Sequence, residues 1–64
     1  MNNDDLLQQA KQFAQDVDYI SVSSLQRKLL VGYTQAKQIL EMLIKDGICE
    51  AEFTVGQGYL ILQK

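Results

Sequence analysis

The 64 residues predict an α+β fold that is mainly α, and three observations carry that prediction. Three stretches repeat apolar residues at intervals of three and four, the period of an amphipathic helix. Only a few residues, Gly32 among them, separate the second stretch from the third, which is the spacing of a helix-turn-helix. The C-terminal end carries two short runs of strand character around Val55, Gly56, Gln57 and Gly58, a glycine-marked hairpin. Three helices, a C-terminal β-hairpin and a short extra strand make a winged helix-turn-helix, with residues 1–64 forming one domain.

The first helix is expected over about 4–15, with Leu6, Leu7, Ala10, Phe13, Ala14 and Val17 as its apolar side. Asn3, Asp4 or Asp5 can cap its start, because a short side-chain oxygen satisfies free backbone N–H groups there. Residues 19–21 read as extended, since aromatic and β-branched residues stand together. A second helix opens at Ser21 or Ser23. Ser23 with Gln26 three residues on fits a capping box, and Ser21 is an equal candidate. Val22, Leu25 and Leu29 form its buried face. Leu30, Val31 and Gly32 then connect to the third helix, with the glycine expected to take the positive φ of a tight turn.

The third helix is expected over about 33–46. Tyr33, Ala36, Ile39, Leu40, Leu43 and Ile44 form its apolar stripe, and Thr34, Lys37, Gln38, Glu41 and Lys45 the polar one. Gly47 is placed to cap its C-terminus. Strands follow at 48–54 and 59–62, with Gly56 and Gly58 as turn glycines.

Composition narrows the function. The chain is 47% hydrophobic and 22% charged with no proline, which fits a folded domain and not a disordered one. A chain this short buries roughly 60% of its unfolded surface, so the core is thin and a deep catalytic pocket is hard to build. There is no histidine, and Cys49 is the single cysteine. That removes a zinc finger, a Ser-His-Asp triad and any intrachain disulfide. Burial in the core or a strand is the expected place for Cys49. No enzyme activity, cofactor or small-molecule substrate is expected. Residues 1–19 have the polar, acidic character of neither a signal nor a transit peptide, and no apolar run approaches the roughly 20 residues of a membrane helix. A soluble, cytoplasmic domain without membrane contact of its own is expected.

The net charge of −2 hides an uneven distribution. Residues 1–20 carry Asp4, Asp5, Asp16 and Asp18 against Lys11. Residues 21–45 carry Arg27, Lys28, Lys37 and Lys45 against Glu41, for +3. Residues 46–64 return to −2, with Asp46, Glu50 and Glu52 against Lys64. Four of the six cations thus gather on the helix-turn-helix, a local basic face that fits double-stranded DNA as the partner and equally an ordinary solvated surface. In that motif the third helix enters the major groove, and its first turns face base edges. Thr34, Gln35, Lys37 and Gln38 are the candidate readers; glutamine pairs with adenine and lysine reaches guanine acceptors. Arg27 and Lys28 are placed for phosphates, which position a protein without reading sequence. Gln26 belongs to the same candidate surface, though capping is its more ordinary role. Tyr33 opens the reading helix, where tyrosine's habit of burial favours packing over base contact.

Ser21 and Ser23, then Leu25-Gln26-Arg27, Val31-Gly32-Tyr33, Ala36, Ile39-Leu40-Glu41 and Gly47-Ile48 stand in a recognisable order. Together they resemble the γ domain at the C-terminus of the bacterial DNA translocases FtsK and SpoIIIE. The opening helix looks similar too, and the resemblance thins in the hairpin. It implies a winged helix that binds G-rich, directional loading sequences in duplex DNA and orients a hexameric motor. Contact with a XerD-like recombinase is implied as well. Many members of that family carry Asn-Arg-Ala-Ala-Arg after Gly-Tyr, where this chain reads Thr34-Gln35-Ala36-Lys37-Gln38. Two arginine positions are glutamine, so guanine readout weakens and adenine readout gains. Met1 opens directly onto the domain with no motor attached, so a free-standing protein and a piece of a translocase are both open.

The rival function is a protein-interaction module. The hairpin is acidic at Glu50 and Glu52, and under this reading Phe53, Val55 and Tyr59 form an exposed apolar anchor. A small protein that mimics the translocase domain and competes for its partners is a third reading.

Overall fold

The computed structural model describes residues 3–63 and holds three helices and three strands. In chain order these are α1 (Asn3–Ala14), β1 (Tyr19–Ile20), α2 (Val22–Leu29), α3 (Tyr33–Lys45), β2 (Cys49–Thr54) and β3 (Gly58–Ile61). The expected α+β winged-helix architecture is what the chain adopts. α1 includes Asn3, Asp4 and Asp5 within the helix itself, so none of the three stands before it as a cap. Asp4 and Asp5 stand instead in the first turn, where negative charge suits the helix dipole.

Leu6, Ala10 and Ala14 of α1 meet Leu25 and Leu29 of α2 and Ala36, Ile39, Leu40 and Leu43 of α3 in one buried cluster. Ile20, Cys49 and Ile61 close it from the sheet side. The alanines are wholly buried, and their small size lets helix backbones approach closely. Phe13 and Val17 are only partly buried, and α1 ends at Ala14, short of Val17.

Ser21, not Ser23, caps α2. Its hydroxyl accepts from the Ser24 N–H at 3.1 Å, and the Ser24 hydroxyl oxygen accepts from the Ser21 N–H at 2.9 Å. Ser21 is extended (φ −142°, ψ 167°), so the chain passes from β1 into the helix without a loop.

The turn after α2 differs from expectation. Gly32 has φ −76° and serves as the N-cap of α3, while the left-handed residue is Leu30 with φ 56°. Leu29 is buried at the end of the helix, so the chain must reverse immediately after it. The N–H groups of Leu30 and Val31 both turn back to the Gln26 carbonyl. A left-handed conformation costs a non-glycine residue about 1–2 kcal/mol. Leu30 is 88% exposed and recovers little of this by burial. Leu30→Gly removes the strain but adds about 0.5–1 kcal/mol of unfolded-chain entropy. A net stabilisation of about 0.5–1 kcal/mol is therefore expected, read as a rise of a few degrees in melting temperature. A fall would mean that the leucine side chain makes a stabilising contact.

The end of α3 matches the sequence reading. Gly47 has φ 75°, its N–H donates to the Ile44 carbonyl, and the Ile48 N–H donates to that of Leu43, which is a Schellman ending. The chain then enters β2 heading back along the domain.

The antiparallel sheet has the order β1-β3-β2, so the last strand is central. Tyr19 faces Leu60 and Ile20 faces Tyr59; on the other side Cys49 faces Ile61 and Phe53 faces Tyr59. Between those last pairs the register shifts, and residues 50–52 bulge out of it. A bulged edge carrying the exposed Glu50 and Glu52 discourages pairing with another strand. Gly56 (φ 81°) makes the turn, where the Gln57 N–H donates to the Thr54 carbonyl at 3.0 Å. Gly58 is not a turn residue: it opens β3 and lies buried against β1.

Candidate nucleic-acid interface

α3 divides its two sides sharply. Ala36, Ile39, Leu40 and Leu43 are buried, whereas Thr34, Lys37, Gln38, Glu41 and Lys45 are exposed. At 3.6 residues per turn those five exposed residues lie along one outward strip. Of the candidates named from sequence, the fold brings Thr34, Lys37 and Gln38 together here. Gln35 stands a quarter-turn round, half-buried, and has an interaction of its own within the domain.

The remaining candidates fall elsewhere. Arg27 is exposed near the end of α2. Lys28 is also exposed, yet its Nζ lies 5.7 Å from the centre of the Phe13 ring on α1, a cation–π distance. That contact gives Lys28 a place in the helix packing and makes it the weaker phosphate candidate. Gln26 is half-buried, and its carbonyl is the acceptor that ends α2.

Tyr33 reverses the expectation of burial, being 59% exposed. It lines a groove of about 380 Å³ between the start of α2 and the hairpin, together with Ser23, Phe53, Gln57 and Tyr59. The position explains the exposure. Tyr33 is the first residue of α3, one step beyond the Gly32 cap, where no preceding turn of helix covers it.

Glu41, placed in the polar stripe by the sequence but not among the candidate readers, lies exposed on the same outward strip. Its distance of three residues from Gln38 and four from Lys37 was the available signal. Gln38, Glu41, Met42 and Lys45 border a shallow depression of about 490 Å³ on this face. Met42 is half-buried and supplies its apolar part.

The hairpin has a different character. Phe53 is 53% and Val55 88% exposed, and Phe53 meets the half-buried Tyr59 edge to face at 5.5 Å. Glu50 and Glu52 give the same strand its negative charge. Cys49 is buried where β2 begins, and burial pushes its thiol up from the ordinary range, so it stays protonated near neutrality. Among the described residues no group of His, Cys, Asp or Glu is arranged to hold a metal ion, and no helix is long and apolar enough to cross a membrane. A salt bridge from Lys11 to Asp46 at 3.6 Å ties α1 to the end of α3 at the surface.

Comparison with known proteins adds two findings. The model of a family described as Ftsk gamma domain matches residues 1–57, ending in the hairpin turn just before β3. Over 47 residues the chain is 43% identical to a protein named DNA translocase FtsK from Clostridium tetani (strain Massachusetts / E88). That alignment covers 73% of this chain and 6% of the relative's length. No solved structure matches.

Proposed function

The chain belongs to the Ftsk gamma domain family, and from that premise we propose that it binds duplex DNA by laying α3 in the major groove. The observation that carries this reading is the exposed strip of Thr34, Lys37 and Gln38 on a helix whose other side is locked into the core. A helix held that way presents its polar side chains in a fixed register, and B-DNA's major groove, about 12 Å wide, admits it. Lys37 and Arg27 supply cations for phosphate or guanine acceptors, while Thr34, Gln38 and Glu41 face base edges. Glu41 suits cytosine N4, which donates. In a translocase such binding orients a motor that lies outside these residues, on the cytoplasmic side. The domain itself hydrolyses nothing and needs no cofactor under this reading. Residues 1–64 act as one unit, and a XerD-like recombinase is a further partner that family membership suggests.

Fluorescence anisotropy with labelled duplexes tests the proposal. Binding is expected at low salt, and affinity is expected to fall linearly on a logarithmic salt scale as counterions are released. Arg27 and Lys37, each on a phosphate, together contribute about −1.8 to that slope. Folded protein that binds no duplex at low salt would rule the reading out.

One observation favours a second reading. Phe53 and Val55 are exposed beside Glu50 and Glu52, a combination suited to a protein partner with a basic, apolar surface. Under that reading the hairpin docks a protein, and α3 contributes little.

A further inference from the structure

We propose that α3 reads an A·T base pair, with the Gln38 amide on adenine and the thymine methyl against Met42. This rests on DNA reading by α3 and goes further, because it names the base pair and the reader. The chain offers two glutamines near the start of that helix, and the fold separates their roles. Gln35 is half-buried and has an interaction within the domain, whereas Gln38 is exposed at the centre of the outward strip. A glutamine amide presents one donor and one acceptor in a plane. Adenine presents the complement, N7 accepting and N6 donating, while guanine presents two acceptors, N7 and O6.

The surroundings of Gln38 reinforce that choice. Glu41, three residues on, adds a carboxylate to the same depression. A carboxylate disfavours the guanine acceptors and favours a base donor, adenine N6 or cytosine N4, so the choice of A·T rests on Gln38 and Met42. Met42, one turn beyond Gln38, gives the depression its apolar part. In the major groove the thymine methyl is the apolar group that such a surface fits. Lys45, on the next turn, borders the far end and is left for a phosphate. The depression thus sets the Gln38 amide beside an apolar patch, which matches adenine paired with a thymine whose methyl meets Met42.

Selection from a pool of short duplexes with a randomised centre, followed by anisotropy on single-change variants, tests the assignment. The selected sites are expected to share an A·T pair. Changing that pair to G·C is expected to weaken binding about tenfold or more, the scale of one bidentate base contact. Gln38→Arg is expected to reverse the preference toward guanine at the same position. Replacing the thymine by uracil, which removes only the methyl group, is expected to weaken binding severalfold. Binding of the whole pool with no adenine recovered, or a preference unchanged in Gln38→Ala, overturns the assignment to Gln38 and leaves DNA binding intact. An unchanged affinity for the uracil duplex overturns the Met42 contact alone. Failure of the folded chain to bind any member of the pool at low salt overturns this inference together with the function it rests on.

Discussion

Gly58→Ala is expected to leave the domain largely unfolded at room temperature. Gly58 has φ 119°, which side chains rarely adopt, and a Cβ there would lie 2.6 Å from the Ile20 carbonyl oxygen and 3.4 Å from the Ser21 Cβ. Both neighbours are backbone-determined and cannot swing aside. β1 would have to leave β3, and Ser21 would lose the geometry with which it caps α2. Backbone strain of this kind costs about 1–3 kcal/mol, and overpacking a tight contact about 1–3 kcal/mol more. A core in a chain this short supplies only about 3–5 kcal/mol in total, so the two terms together are comparable to the whole stability. Gly56→Ala is the matched control. Gly56 also has a positive φ (81°), but nothing lies within 4 Å of its added Cβ, so only the conformational cost remains. Urea melts followed by far-UV circular dichroism separate the two. A normal midpoint for Gly58→Ala would show that β1 yields easily and contributes little.

The second large effect concerns binding. Arg27→Glu combined with Lys37→Glu is expected to lower affinity for duplex DNA about 100-fold or more near 0.1 M salt. Each lost phosphate contact removes about one counterion from the release, so the salt dependence should flatten by about 1.8 in logarithmic slope. Both side chains are exposed, and surface substitutions of this kind change stability by about 0.5 kcal/mol or less. A melt of the double variant therefore checks that the loss is electrostatic. If the hairpin docks a protein and α3 is a bystander, the double variant keeps whatever activity the domain has, and Phe53→Ala removes it instead. An unchanged affinity in the charge-reversed protein would remove Arg27 and Lys37 from the interface.

The helices were legible because apolar residues at intervals of three and four leave a helix no other way to bury them. Gly47 was legible for a local reason as well: a helix that stops there needs a left-handed residue, and glycine takes that conformation without strain. The hairpin followed from its glycines, and the outward strip of α3 from the complement of its apolar stripe. At two places the local pattern offers two candidates and packing decides between them. Ser21 and Ser23 are chemically alike, and the choice fell to Ser21 because β1 runs directly into the helix. Gly32 was the obvious residue for a positive φ, yet Leu30 takes it, since the buried Leu29 fixes where the chain must turn.

Periodicity in this chain thus shows which side of each helix is mainly apolar, and composition shows that these 64 residues hold no histidine and no pair of cysteines for an intrachain disulfide. Neither says what covers a given side chain. That Tyr33 faces an open groove, that Lys28 rests near the Phe13 ring, and that Gln38 rather than Gln35 stands clear on α3 depend on how the elements pack. The same holds for Gly58, whose need to be glycine comes from the Ile20 carbonyl, almost forty residues earlier in the chain. Such constraints arise between elements remote in sequence, and a local pattern carries no record of them until the chain has folded.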